Sequence, residues 1–456
     1  MQGDGMEATS GERVTARMAL REGDALTRLS ALVMGAGMIG HRQVAKGLAV
    51  LVCEVSFVFF MVTSGWMRLR GFVRLGEEGL TKTWDEARQV FVYDIGDNSQ
   101  LMLLRGVIAL FVIAAIAVLW VVQMRHSLRL QRRMEEGGEV PTLAQDLRSL
   151  LDNNLHVTLM SLPCAGIVAF NVLPLVYMIS MAFTTYSREG NHLVLFDWDG
   201  LNQFARVLTL GGNIGRQFWQ VLGWTVVWAI LATLLNYVLG MVLALLINRR
   251  QTRGKAFWRF CFVLSIAVPQ FVTLMVMNIM LQPSGAVNVA LTQLGLIDRP
   301  IPFWSDASLA RVTIVVINLW VGIPYTMLQV TGILQNIPQE LFEAARVDGA
   351  GPARIFFKIT LPYMLFVTTP YLIASFMSNI NNFNVIYLLS GGGPTPVGDT
   401  AGKTDLLVTW LYKLTIDQQY YNLGAVIGIV TFVILTAITL MTYRSTGSYE
   451  DEEALM

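Results

Sequence analysis

The sequence predicts an all-α integral membrane protein, a polytopic bundle of about eight transmembrane helices. Of its 456 residues, 54% are hydrophobic and only 14% charged, where a water-soluble domain carries about a quarter charged. The apolar residues gather in runs of about 20 or more, the length a helix needs to cross a bilayer. Between those runs lie loops that hold most of the arginine and lysine. A net charge of +1 gives no ground for nucleic-acid binding. Cys53, Cys164 and Cys261 all fall within apolar stretches, so they read as small buried packing residues rather than a disulfide framework.

In chain order, residues 1–46 form a polar to mildly amphipathic segment with six basic residues, and no cleavable signal peptide is expected in it. Gly35-Ala-Gly37-Met-Ile-Gly40 matches a dinucleotide fingerprint as a string. No βαβ unit surrounds it, so these glycines read as a loop or a close-packed helix. Eight candidate spans follow, at 47–66, 101–124, 156–183, 217–247, 260–281, 310–334, 363–383 and 421–443. The first two form an appended region over 47–154. The other six form a core over 155–445, and an acidic tail occupies 446–456. Lysine and arginine set the orientation. Six lie in the N-terminal segment, five in 125–155, five in 248–259 and three in 335–362, with Arg444 in the tail. Both termini are therefore expected in the cytoplasm, although Arg68, Arg70 and Arg74 in the first outer loop fit that bias least.

Within the spans, Pro163, Pro174, Pro269, Pro324 and Pro370 each free a backbone carbonyl and are expected to kink their helices. Helices interrupted in this way line cavities more readily than they face lipid. Gly240 and Ala244 form a small-xxx-small pair suited to close helix contact. Glu54 is an intramembrane carboxylate near Lys46 and reads as interfacial or packed rather than as a proton relay.

Residues 336–362, NIPQELFEAARVDGAGPARIFFKITLP, carry charge and glycine between two apolar runs. Pro338 suits a helix start, and Gln339 and Glu340 suit its first turn. Gly349 and Gly351 break that helix. Pro352 opens a second, expected over 352–359, with Leu361-Pro362 ending it. The residues follow a spaced pattern: Glu343-Ala344-Ala345, three residues, Gly349, nine residues, Ile359-Thr360-Leu361-Pro362. This resembles the EAA loop of the permease subunits of bacterial ABC importers. The resemblance implies that the two short helices seat in a cleft of an ATPase subunit. Glu343 would make the polar contact there, Ala344 and Ala345 would permit close approach, and Gly349 would form the corner. An ordinary amphipathic loop on the bilayer is the alternative, and the mixture of Arg346 and Asp348 with small alanines argues against it.

Over 155–445 the chain is similar to the larger permease of the maltose and maltodextrin importers. The similar stretches are Trp320-Val-Gly322-Ile-Pro324-Tyr325 and Ser375-Phe-Met-Ser378-Asn379-Ile-Asn381-Asn382-Phe383-Asn384. In that family positions in these two runs contact the sugar, which here implies Val321, Gly322, Tyr325, Ser375, Ser378, Asn379 and Asn382. Amides and hydroxyls match sugar hydroxyls, and an aromatic ring can stack on a pyranose. Ser375, Asn379 and Asn382 stand at i, i+4 and i+7, one helix face. The alternative is that these amides bridge helices within the bundle. Val321 and Ser378 replace a leucine and a phenylalanine of the maltose permease. The loop Thr184 to Arg216 is also much shorter than the insertion of Gram-negative relatives.

Gly398-Asp-Thr-Ala-Gly402-Lys403-Thr404 resembles a P-loop but is one residue short and follows no strand. ATP and magnesium are therefore expected on a partner ATPase, and this chain itself carries no catalytic or metal site and no cofactor. The resemblance implies a bacterial cytoplasmic-membrane importer subunit moving a maltodextrin-like oligosaccharide by alternating access. Its implied partners are a second permease, an ATPase homodimer, an extracytoplasmic solute-binding protein and membrane lipid. Another carbohydrate or a glycerol phosphate is the alternative cargo, although a phosphate would call for a basic residue near the site. An ion-coupled secondary transporter would want paired ionisable groups at mid-membrane. A receptor without transport would lack the polar face of the seventh span.

Overall fold

Apolar helices make up nearly every element of the computed structural model, which describes residues 14–79, 81–85, 89–94, 96–249 and 251–444. Residues 1–13 of the N-terminal segment and the acidic tail at 446–456 lie outside the described residues. Among the described residues, seven helices are long and apolar enough to cross a membrane, and a bent pair makes an eighth. Contacts divide the chain into two units. One holds the residues up to Tyr186 with Gly190–Trp198, and the other holds Ser187–Glu189 with the residues from Asp199 onward. That division falls one span later than the 154/155 boundary drawn from sequence.

In the first unit, α1 (Ala16–Glu22) and α2 (Ala25–Leu29) are opened by the Thr15 and Asp24 side chains, which accept the Met18 and Thr27 N–H groups. α3 (Ala36–Gly40) starts from Gly35 in the left-handed region, φ +85°. Gly35 lies so close to the Gly47 backbone that a Cβ would collide with it, so the glycine string is a helix crossing. α4 (Val44–Phe60) runs through a π turn (Met61–Gly65) into α5 (Trp66–Arg74) as one span. Arg68, Arg70 and Arg74 thus ride on a helical extension instead of a loop, with the Arg68 guanidinium 5.2 Å from the Phe60 ring centroid. Glu54 is a packed group that accepts the Met34 N–H at 2.8 Å.

A hairpin of β1 (Thr81–Asp85) and β2 (Val90–Asp94) follows, antiparallel with Trp84 opposite Phe91. It was not anticipated, although its run of threonine, valine and aromatic residues is strand-like. α6 (Ser99–Glu135) is 37 residues long, and the Thr142–Gln145 capping box opens α7 (Leu143–Leu151). The third span is α8 (Leu155–Ile167), a π turn (Val168–Val172) and α9 (Leu173–Met181). Pro163 and Pro174 flank that turn, where two missing N–H groups disturb the regular ladder.

The second unit begins with α10 (Asn202–Leu208) and the long α11 (Asn213–Asn248). α12 (Lys255–Ala267) and α13 (Gln270–Met280) meet at 85°, and Pro269 supplies the break. Next come α14 (Ala286–Gln293), α15 (Ala307–Gln335), α16 (Gln339–Val347) and α17 (Pro352–Ile355). The chain continues through a π turn (Phe356–Thr360) into α18 (Leu361–Ile380), then α19 (Phe383–Ser390), α20 (Leu407–Tyr412), a further π turn (Lys413–Asp417) and α21 (Tyr421–Arg444).

α11 and α15 form the centre of this unit. Gly240 leaves no room for a Cβ against Thr326 and the Met327 backbone, and Ala244 is fully buried, so the small pair makes the close crossing expected of it. Tyr237, Met241, Met327, Val330 and Met364 fill one cluster. A second gathers Trp224, Trp228, Leu274, Ile314, Ile386 and Leu406.

Two expectations need correction. The cysteines are free and exposed on α4, α8 and α12 rather than buried packing residues. Leu361-Pro362 does not end the second coupling helix. The Leu361 N–H bonds back to the Phe356 carbonyl in the π turn, and the helix passes on into the span.

Candidate substrate cavity and coupling helix

Polar side chains in the otherwise apolar α11, α15 and α18 meet around a cavity of about 220 Å³. Val321, Gly322 and Tyr325 from α15 and Ser375 and Asn379 from α18 line it. Two of the seven residues expected at a sugar site do not. Ser378 is exposed, one residue and thus about 100° around the helix from Asn379. Asn382 has left the helix, because α18 ends at Ile380, and instead caps α19 by accepting the Val385 N–H at 3.3 Å. The expected i, i+4, i+7 face therefore stops at Asn379.

Asn379 also ties α18 to α11. Its Nδ2 donates to Thr233 Oγ1 at 3.0 Å, and its carbonyl accepts the Trp228 Nε1–H at 3.1 Å. For this side chain the helix-bridging reading holds as well.

Other lining groups were missed by sequence reasoning: Thr233, Asn236 and Tyr237 on α11, Asn318 on α15, Tyr371 on α18, and Gln270 at the start of α13. The signal was available, since Asn236 and Asn318 are amides deep within apolar runs. Asn236 Oδ1 and Asn318 Nδ2 are buried with no hydrogen-bond partner among the described residues, and Asn318 is only 5% exposed. A buried amide atom left unpaired costs about 1–3 kcal/mol, which a ligand hydroxyl would offset. A Cβ at Gly322 would overlap the Asn236 amide, so that side chain would have to move to admit one. Tyr325 is 54% exposed, so this chain leaves that side of the cavity incompletely walled. Among the described residues, the lining contains no aspartate, glutamate, lysine or arginine.

α15 leads directly into the 336–362 stretch. Pro338 stands at the N-cap of α16, and Glu340 occupies its first turn. The helix ends in a Schellman motif, with Ala350 N–H donating to the Ala345 carbonyl at 2.9 Å and Gly349 N–H to the Arg346 carbonyl at 3.0 Å. Gly349 holds φ +76°, the left-handed conformation that glycine adopts without penalty. No residue of α16 is buried. Glu343 and Ala344 are exposed, Ala345 is half-buried, and Val347 is 88% exposed. Ile359 and Leu361 are half-buried and Pro362 is exposed where the helix enters the span.

The P-loop-like string is otherwise occupied. Thr400 and Ala401 N–H groups both donate to Gln217 Oε1 at 2.8 Å, Gly402 N–H to Asp405 Oδ2 at 2.7 Å, and Lys403 N–H to the Pro394 carbonyl at 2.9 Å. Those amides cannot cradle a phosphate. Asp405 is fully buried against Lys413, 2.7 Å away. Burial pushes its carboxyl above the ordinary 3.8, while the Lys413 ammonium and the Gly402 N–H pull it back.

Comparison with known proteins agrees with this architecture. Residues 236–445 match the family model described as the binding-protein-dependent transport system inner membrane component. The galactooligosaccharides transport system permease protein GanP of Bacillus subtilis is 33% identical over 428 residues, covering 93% of this chain and 98% of that one. The maltodextrin transport system permease protein MdxF of the same organism is 33% identical over 94% of this chain and 97% of its own length. The maltose/maltodextrin permease protein MalF of Escherichia coli is 39% identical, over 54% of this chain and 49% of that protein. A bacterial ABC transporter involved in import of the polysaccharide alginate shares the fold, with a TM-score of 0.54 at 21% identity over 65% of this chain and 96% of its own. The chain belongs to the binding-protein-dependent transport inner membrane components and is a permease subunit of an ABC importer.

Proposed function

We propose that this permease conducts a neutral oligosaccharide of the maltodextrin or galactooligosaccharide class through the cavity between α11, α15 and α18. The single observation that carries the reading is the pair of unpartnered amide atoms, Asn236 Oδ1 and Asn318 Nδ2, in a lining without formal charge. A sugar hydroxyl can donate to one and accept from the other. A phosphorylated cargo or a coupling cation would want the charged groups this lining lacks. The names of the two Bacillus subtilis relatives support the same substrate class.

In this reading an ATPase dimer docks on α16, with Glu343, Ala344 and Ala345 at the contact and Gly349 at the corner. A second permease closes the cavity beside Tyr325, and a solute-binding protein delivers the sugar from outside. Both termini lie in the cytoplasm. The helix layout supports mechanical coupling. From Asn318 to Gln335 along α15 is about 25 Å at 1.5 Å per residue, and from Ile355 to Ser375 along the continuous α17–α18 helix is about 30 Å. Two of the three helices that wall the cavity, α15 and α18, are thus the two that bracket the coupling stretch, so a displacement of α16 reaches the site through stiff elements.

Asn318→Leu keeps the side chain's approximate volume and removes its donor. Uptake of labelled maltodextrin or galactooligosaccharide by the intact system should fall at least ~10-fold, as expected for losing about 1.4 kcal/mol or more of a buried hydrogen bond. Assembly, read by copurification with its partners, should be unchanged. Unaltered uptake would move the site elsewhere.

A further inference from the structure

A second concavity, of about 350 Å³, lies in the first unit at the polar end of α6. His126, Arg129 and Arg133 of α6 line it, three and four residues apart and so on one helix face. Its opposite wall is built from Gln43, Pro141 and Asp146. The wall is held in place: Gln43 is buried, accepts from His126 Nε2 through Oε1 at 2.8 Å, and donates through Nε2 to the Pro141 carbonyl at 3.2 Å and to Asp146 at 3.3 Å. Two neighbouring cations, Lys46 and Arg132, are matched to carboxylates. Lys46 lies 2.5 Å from Asp146, and Arg132 lies 2.6 Å from Glu22.

Arg129 and Arg133 are different. Both are exposed, and no carboxylate among the described residues forms an ion pair with either. Like charges one turn apart repel each other, and Glu136 is the one carboxylate in the lining not already matched to Lys46. An anion seated between the two guanidinia would relieve that repulsion, and a phosphate offers oxygens to two planar forks at once. The helix carrying them is a candidate membrane span, and Arg129 and Arg133 follow its apolar run at 101–124 by about 8 and 14 Å of helix, a gap that long arginine side chains can reach back across toward lipid headgroups.

We propose that the α6 face formed by His126, Arg129 and Arg133 binds a phosphate group, the headgroup phosphate of an anionic lipid being the ligand that its place on a span favours. The same chemistry would accept free phosphate, and the experiment separates the two sources. The full importer complex is placed in bilayers of phosphatidylcholine alone, or of phosphatidylcholine with an equal share of phosphatidylglycerol. Lipid retained after extraction is weighed by native mass spectrometry, with and without added inorganic phosphate. Wild type should retain phosphatidylglycerol in preference to phosphatidylcholine. The double variant Arg129→Gln/Arg133→Gln should lose that preference by about 30-fold, at roughly a factor of five per arginine near a charged surface. Arg125→Gln, on the same helix but outside the concavity, should leave it unchanged.

If inorganic phosphate displaces the lipid, or binds the wild-type complex in phosphatidylcholine and not the double variant, the site takes free phosphate as well. A photoactivatable phosphatidylglycerol on wild-type protein provides an arm independent of variant folding, and its adducts should fall within residues 126–146. Equal retention of both lipids by wild type and double variant, with no phosphate binding and with adducts scattered over the spans, would overturn the proposal.

Discussion

Gly322 and Asn236 show how one missing side chain shapes the cavity. A Cβ at the glycine would overlap the Asn236 amide, whose oxygen is buried with no hydrogen-bond partner among the described residues. Gly322→Ala should therefore push Asn236 aside and weaken substrate handling by ~10-fold in the concentration for half-maximal uptake, at the low end of the cost of overpacking. The fully assembled complex should form as before. Gly322→Ala with Asn236→Ala restores the space but not the amide, so it should not recover wild-type uptake. Full recovery in the double variant would mean that Asn236 acts only by its bulk. The sequence made Gly322 a candidate through resemblance and left its neighbour unnamed. The partner of a glycine is a tertiary fact, since Asn236 and Gly322 are on different helices.

At the scale of elements, the loop ahead of α20 depends on one buried ion pair. Lys413→Met would leave the Asp405 carboxyl without its counter-ion and should destabilise the protein by about 3–5 kcal/mol in thermal unfolding in detergent. The double variant Asp405→Asn/Lys413→Met should recover most of that loss. The carboxyl's folded pKa is raised above 3.8, so the folded state holds its proton more tightly than the unfolded chain does. Stability from this group is thus fully present below the ordinary value and falls as pH rises through the raised one. Thermal melts across mildly acidic pH should show that slope in wild type and lose it in Asp405→Asn. A cost below about 1 kcal/mol for Lys413→Met would place the pair among ordinary exposed bridges.

The same scale separates what local pattern reveals from what it hides. The spans were legible because hydropathy is a property of a segment, and Pro269 marked the bend because a missing N–H acts where it stands. Pro324 and Pro370 carry the same local signal but stand inside helices that continue past them, so the signal alone does not tell a break from a proline within a helix. The end of α18 at Ile380 was equally hidden, and with it the loss of Asn382 from the expected face. The cysteines misled for a related reason, since periodicity cannot tell a core-facing position from a lipid-facing one.

Across the whole molecule, two of the helices that line the cavity lead into the 336–362 stretch. α15 brings Asn318 and Gly322 to the cavity and ends beside α16, and the α17–α18 helix begins just past Gly349 and carries Ser375 and Asn379. α16 contributes no buried residue of its own, which fits a surface completed by a partner. The spaced Glu-Ala-Ala and glycine motif was legible as a string, and the Schellman turn supplies its physical basis at Gly349.

The most direct test of this account is substrate-stimulated ATP hydrolysis by the complete importer, reconstituted with its solute-binding protein and assayed against a panel of neutral and phosphorylated sugars. A neutral oligosaccharide should stimulate hydrolysis in wild type, Asn318→Leu should abolish the sugar's effect while leaving basal hydrolysis, and Gly349→Trp should remove coupling altogether. Stimulation that survives both substitutions, or that only a phosphorylated sugar elicits, would contradict a neutral-sugar cavity joined to α16.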